Sequence, residues 1–122
     1  MKKILLFLFA ILLISMGIMA QPTERAQRKM KLYNYTRAVH ILNKAVKKPK
    51  YHNTAVPLLA ECYRMQNDVF NTKVWYSEAI NLQGALPEWY YYYAQALRTT
   101  GDYVKAREMF VKFAQLKPED SR

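Results

Sequence analysis

The sequence predicts an all-α chain of stacked helical hairpins that follows an apolar N-terminal segment. Two observations support this prediction. Equivalent residues recur at a spacing of 34 from residue 26 onward, and no segment shows the sustained two-residue alternation of a half-buried strand. The composition agrees, because 122 residues with 52% hydrophobic side chains, three glycines and one cysteine exclude collagen-like, disulfide-rich and intrinsically disordered proteins.

The first element, residues 1–20, has the three-part layout of a secretory signal peptide. Two lysines give it a positive start, residues 4–14 form an unbroken apolar run, and the segment ends at Ala20. Cleavage after Ala20, or alternatively after Gly17, would release the rest of the chain. An uncleaved anchor is the competing interpretation, because about 20 apolar residues can just span a bilayer. We therefore predict an exported protein, periplasmic or associated with the outer membrane.

The 34-residue period divides the remaining chain into units of about 19–52, 53–86 and 87–120. Small residues, large residues and turn-forming residues each keep the register. The equivalent sets are Ala26, Ala60 and Ala94; Ala38, Thr72 and Ala106; Leu42, Tyr76 and Phe110; Tyr35, Val69 and Tyr103; and Asn34, Asp68 and Asp102. Small side chains let two antiparallel helices approach closely, while large ones interlock between units.

Each unit is predicted to contain two helices. In the second unit, Asn53 or Thr54 is expected to cap a helix with Pro57 in its first turn, where proline is tolerated. In the third unit, Pro87 opens a helix and Gly101 ends it. Such hairpins cannot bury their apolar faces alone, so we expect them to stack.

The pattern resembles the tetratricopeptide repeat (TPR), well over residues 53–120 and partly over residues 23–52. The matching positions are Leu59, Ala60, Tyr63, Thr72, Tyr76 and Ala79 in the second unit, and Tyr90, Tyr93, Ala94, Leu97, Tyr103, Ala106, Phe110 and Pro118 in the third. The resemblance implies three stacked TPR hairpins, a segment of a right-handed α-solenoid, over residues 21–122.

The first unit departs from this pattern. Pro22, Arg25 and Lys29 occupy positions that are apolar in the other two units. A terminal repeat needs a solvated outer face, which explains charged residues there. Alternatively, the first helix of this unit is frayed.

The sequence contains no constellation typical of an enzyme, cofactor site or metal site. His40 and His52 are not at metal-ligand spacing with each other or with Cys62, and no nucleophile elbow or glycine-rich phosphate loop is present. We predict a non-catalytic protein without a cofactor or metal. A lone Cys62 inside a helix is expected to be a small buried apolar residue.

The resemblance to the TPR family places partner binding on the concave face, which the first helix of each unit lines. The predicted partner-binding residues are Gln27, Met30 and Lys31 in the first unit, Thr54, Glu61, Arg64 and Met65 in the second, and Tyr91, Tyr92, Gln95 and Arg98 in the third. This mixture of Met, Tyr and Arg suits a peptide or helix in a groove. The sequence argues against a TPR clamp for a C-terminal carboxylate. The basic and amide positions of such a clamp are occupied here by Thr23, Gln27, Leu58, Glu88 and Tyr92.

Five consecutive aromatic residues, Trp89 to Tyr93, fan around every face of a helix. Tyr90 and Tyr93 are expected to belong to the packing between helices. Tyr91 and Tyr92 are expected to face the groove or solvent, with partial burial under flanking side chains as the alternative.

The charge lies almost entirely on the first unit. Residues 21–52 carry nine basic side chains and one acidic one, whereas in the rest of the mature chain the two signs nearly cancel. In an exported protein this excess suits an anionic envelope surface rather than nucleic acid. The alternative is a solvated charged face without a ligand.

After the last predicted helix, residues 117–122 resemble an inter-repeat loop. This is expected to leave Phe110, Phe113 and Leu116 on a partly uncovered face, which marks an interface or a missing segment. We predict an exported adaptor that binds a peptide or protein in the bacterial cell envelope. The alternatives are a structural oligomerisation segment, or the N-terminal module of a larger OmpA-like envelope protein associated with type IX secretion.

Overall fold

The computed structural model describes the backbone of residues 1–18 and 20–122 and the side chains of residues 1–11 and 20–122. Met19, within the predicted signal segment, lies outside the described residues. The described part of the chain is all-α, with no strand. Its helices are α1 (Lys2–Ile18), α2 (Pro22–Lys31), α3 (Tyr35–Ala45), α4 (Pro49–Met65), α5 (Val69–Ala79), α6 (Pro87–Thr99) and α7 (Tyr103–Leu116).

Helix α1 covers the apolar run of the predicted signal and packs against no other helix in the described part of the chain. Its described side chains, those of residues 2–11, are accordingly exposed, as at Leu5, Phe7 and Phe9. Among the residues described, no helix combines the length and the apolar character needed to cross a membrane.

The remaining helices pack in sequence order. Helix α2 pairs with α3, α4 with α5, and α6 with α7, while contacts of α3 with α4, of α5 with α6 and of α2 with α4 join the pairs. The second helix of each pair begins at Tyr35, Val69 or Tyr103, so the predicted 34-residue register holds in the structure.

The same turn joins the two helices of each pair. The second residue after the helix has a positive φ, 60° at Tyr33, 58° at Asn67 and 88° at Gly101. The backbone N–H of the following residue then donates to a carbonyl five residues earlier, which satisfies a helix-end acceptor. These bonds are Asn34 to Lys29 (2.8 Å), Asp68 to Tyr63 (3.0 Å) and Asp102 to Leu97 (2.9 Å).

The turn also starts the second helix of each pair. Asn34, Asp68 and Asp102 are the N-caps, and each side chain accepts a hydrogen bond from the backbone N–H three residues later. A side-chain acceptor at this place satisfies one of the free N–H groups of a helix start. The three predicted turn residues therefore both end one helix and begin the next.

Two clusters of buried residues form the core. The first comprises Ala26, Ala38, Leu42, Ala45, Ala55, Leu59 and Cys62, and the second comprises Val56, Ala60, Tyr76, Ala79, Tyr93, Leu97 and Ala106. Alanine is the most frequent residue in both, and Ala26, Ala38 and Ala60 are completely buried. Small side chains at these points let neighbouring helices approach closely.

The start of α4 differs from the sequence prediction. The helix begins at Pro49 rather than at a cap on Asn53 or Thr54, and Pro57 lies in its interior. Pro49 can take the first helical position because it lacks an N–H that would be unsatisfied there. Tyr51, in the additional turn, packs against the first core cluster, and this tertiary contact favours the earlier start.

The charged first unit is folded. Helix α2 is continuous from Pro22 to Lys31, and Arg25 on it is exposed. Both facts agree with a solvated outer face and disagree with a frayed helix.

We predict that substitutions at the left-handed turn positions change stability in opposite directions. Tyr33→Gly should raise the free energy of unfolding by about 0.5–1 kcal/mol, because glycine adopts positive φ without steric cost. Gly101→Ala should lower it by about the same amount, since an added Cβ would meet no atom within 4 Å and only the backbone strain remains. Urea unfolding followed by circular dichroism measures both, and a stabilised Gly101→Ala would contradict the explanation.

Candidate interaction groove

A groove runs between α4 and α6, with a volume of about 460 Å³. We call it the α4–α6 groove. It is lined by Thr54, Pro57, Leu58, Glu61, Tyr76, Leu86, Glu88, Trp89 and Tyr92. Beyond Tyr92 a smaller cavity of about 130 Å³ continues toward the α4–α5 turn, lined by Arg64, Asn67, Val69, Thr72, Tyr92, Gln95, Ala96 and Thr99.

A charged network lies where the groove meets the smaller cavity, since Glu61 lines the groove and Arg64 lines the cavity. The Arg64 guanidinium donates to the Glu61 carboxylate from Nε at 3.0 Å and from Nη2 at 2.7 Å. The Tyr76 hydroxyl donates to the same carboxylate at 3.2 Å. Burial raises the pKa of Tyr76 above its ordinary value, and Glu61 raises it further, so the phenol stays protonated and continues to donate.

Tyr92 is one of the aromatic residues that line the groove. Its ring lies 5.7 Å from that of Tyr76, and the Arg64 guanidinium lies 4.1 Å from its centroid. A cation over an aromatic face is attracted by the electrons of the ring. The structure thus brings together Glu61, Arg64 and Tyr92 of the predicted set, and they hold one another in place.

Tyr91 lies elsewhere. Its ring packs against Phe110 at 5.6 Å and Phe113 at 5.2 Å, and its hydroxyl accepts a hydrogen bond from Gln95 Nε2 at 3.1 Å. Tyr91 therefore contacts α7 and is partly buried, which is the alternative stated from the sequence. Tyr93 is buried and Tyr90 half-buried, as expected for packing residues.

The other predicted site residues are distributed over the surface. Thr54 is exposed and lines the α4–α6 groove, whereas exposed Met65 does not line it. In the first unit, Met30 packs against the first core cluster, while Gln27 and Lys31 are exposed away from the groove. Arg98 is exposed near α7, with its guanidinium 5.6 Å from the Phe110 ring.

The candidate set omitted Leu86 and Trp89, which line the groove. Trp89 lies one helical turn before Tyr92 and so faces the same side of α6, a spacing that could have identified it. Leu86 precedes α6 as its N-cap, outside the helical pattern, and no sequence signal marks it.

At the far end of the helices, the expectation for Phe113 was wrong. This residue is only 2% exposed, because Tyr91 packs on it and the Arg122 guanidinium lies 5.2 Å from its ring. Leu116 is 43% exposed, as expected. The remaining apolar surface on α7 borders a cavity of about 460 Å³ lined by Arg98, Tyr103, Ala106, Arg107, Phe110, Val111 and Ala114.

Cys62 is buried, and burial raises the pKa of its thiol to about 12, with an additional increase from the Glu61 carboxylate. The thiol is therefore protonated at neutral pH and a poor nucleophile. Within the residues that the structure describes, no group of three His, Cys, Asp or Glu side chains is placed to hold a metal ion.

No protein-family model matches this chain, and a search of curated proteins finds no significant match.

We expect Cys62 to resist thiol reagents near neutral pH until the protein unfolds. The folded-state pKa is raised above 9.0 to about 12, so this group's contribution to stability is lost as pH rises through that window. At high reagent concentration, the rate of labelling by a chromogenic disulfide should therefore approach the rate of the opening that exposes Cys62. In Cys62→Ala the alkaline loss of unfolding free energy should be smaller, and rapid labelling of the folded protein would contradict the assignment.

Proposed function

We propose that the protein is a non-catalytic interaction module of the TPR type, exported to the bacterial cell envelope, which binds a segment of a partner protein in the α4–α6 groove. The observation that carries the proposal is the groove itself, a 460 Å³ space between two helices with aromatic and aliphatic walls. The turns of the helix pairs, which repeat every 34 residues, support the TPR assignment. The apolar segment of α1 behind two lysines supports export.

The chemistry of the groove indicates what kind of segment it takes. Leu86 and Trp89 offer apolar contact area, and Leu86 is 51% exposed. Large aromatic side chains commonly anchor binding interfaces because they bury much area at little cost in conformational entropy. The expected ligand therefore inserts an apolar side chain between α4 and α6.

Charge in the groove favours an uncharged anchor. Glu61 is paired with Arg64, and the Glu88 carboxylate lies 2.6 Å from the Lys117 ammonium on the C-terminal segment. Because both carboxylates are already paired, a charged ligand side chain would have to compete with an existing ion pair. A helical or extended segment with one apolar anchor and polar flanks fits better.

A second candidate function is self-association through α7. Val104 and Val111 are 75% and 49% exposed, and the adjacent cavity lined by Phe110 is apolar in character. In this alternative the apolar surface of α7 is the interface, and the α4–α6 groove has no partner. Exposed apolar area of this kind is typical of interaction surfaces.

Peptide selection tests the groove. Peptides selected from a displayed random library against the full chain should bind Leu86→Ser about fivefold more weakly, since about 1 kcal/mol of apolar contact is lost. The same substitution should leave the fold unharmed, because serine is a favourable N-cap and Leu86 makes no side-chain cap bond.

Leu32→Ser is the matched control, because Leu32 is an exposed leucine outside the groove. Its affinity for the selected peptides should equal that of the parent. Equal loss in both variants, or selection of no peptide sensitive to Leu86, would overturn the groove proposal.

Sedimentation separates the two candidate functions. If α7 mediates self-association, the full chain should form a concentration-dependent dimer that Val111→Asp abolishes. A monomer at all accessible concentrations would eliminate the second candidate and leave the groove proposal untouched.

A further inference from the structure

The outer side of the first helix pair carries a second concave site, which we call the α2–α3 cavity. Its volume is about 220 Å³, and it is lined by Pro22, Arg25, Arg37, His40, Ile41, Lys44, Ala45 and Lys48. Four of the eight lining residues are arginine or lysine and none is acidic. No residue of the α4–α6 groove takes part, so this site is separate from the proposed partner-binding site.

The geometry of α3 aligns these side chains. Arg37, His40 and Lys44 are spaced by three and four residues, which places them on one face of a helix over about 10 Å of its length. Arg25 on α2 forms the opposite wall. Lys48, the N-cap of α4, follows the end of α3 and extends the row of basic residues.

These cations have no acidic partners among the described residues. The ion pairs there join Arg64 to Glu61, Lys117 to Glu88 and Arg122 to Asp120, all outside the first helix pair. The only acidic residue in residues 21–52 is Glu24, which does not line the cavity. The positive charge in the α2–α3 cavity is therefore not neutralised by the protein.

The positions of the two arginines at helix starts make this unneutralised charge more unfavourable. Arg25 follows the first three residues of α2, and Arg37 lies in the first turn of α3. The positive end of the helix dipole disfavours cations at helix starts, and neighbouring like charges repel one another. A bound anion would reverse the sign of both effects.

We propose that the α2–α3 cavity binds a phosphate group. Planar guanidinium groups match phosphate oxygens with two parallel hydrogen bonds, and an ammonium group adds a compact positive charge. Ile41, Ala45 and Pro22 line the cavity beside the cations, which are themselves exposed to solvent. At ~30 Å³ for each water, the volume accommodates a phosphate group together with a few bound waters.

The phosphate can belong to a soluble compound or to the headgroup of a lipid, because the recognising chemistry is the same. The experiment therefore uses inorganic phosphate in one arm. The second arm uses vesicles of phosphatidylcholine that contain phosphatidic acid, compared with vesicles in which oleate supplies the same negative charge.

The test variant is Arg37→Gln/Lys44→Gln in the full chain. Loss of two charge-assisted contacts should weaken phosphate binding at least about tenfold in calorimetry. The matched control is Arg28→Gln/Lys50→Gln, which removes the same charges from exposed positions on α2 and α4 outside the cavity. The control should bind like the parent. Binding to neutral vesicles measures the contribution of α1 to membrane affinity, which should be equal in all three proteins.

Preference for phosphatidic acid over oleate, lost in the test variant alone, would assign the lipid headgroup as the source. Binding of inorganic phosphate with no added affinity for phosphatidic acid vesicles would assign a soluble ligand. Equal weakening in the test and control variants would overturn the proposal in favour of a diffuse charge effect, and so would unchanged binding in the test variant. Thermal unfolding without phosphate checks the fold, since removal of two repelling cations should leave the melting temperature equal or higher.

Discussion

The close approach of helices at buried alanines is the constraint on which the rest of the structure depends. Ala26, Ala38 and Ala60 are completely buried, so any larger side chain at these positions would push two helices apart. Because the helices are pressed together there, the large residues beside them must interlock, as Leu42 and Tyr76 do in the two core clusters. The spacing of alanines thus fixes the register of the helices, and the helices in turn set the width of the α4–α6 groove.

The features that could be predicted from the sequence are those decided by local chemistry. The N-caps Asn34, Asp68 and Asp102 act within three residues of themselves, and the turn before each repeats with the same hydrogen bonds. The start of α4 could not be predicted, because the contact of Tyr51 with the core extends the helix beyond the expected cap. Burial of Phe113 depends on Tyr91 and on Arg122 reaching back over its ring, and neither contact leaves a periodic signal.

In the candidate site, too, some features could be predicted from the sequence and others could not. The TPR resemblance assigned Glu61, Arg64 and Tyr92 to one face, and the structure brings them together, yet their mutual pairing is invisible in a pattern of positions. That pairing changes the role that these residues can have. Side chains already bonded to one another shape the groove more than they offer free groups to a ligand. The apolar lining of the groove includes Leu86 and Trp89, of which one stands outside any helix.

The first helix pair combines two energetic penalties that the other pairs do not share to the same extent. Its cations are unneutralised, and the aromatic Tyr33 occupies a left-handed turn position. In a stack where each pair touches mainly its neighbours, stability is nearly a sum of local terms, so opening begins where those terms are weakest. The first pair is therefore expected to open before the interior of the stack. An anion bound between α2 and α3 would stabilise the first pair, and its release would let that pair open more readily.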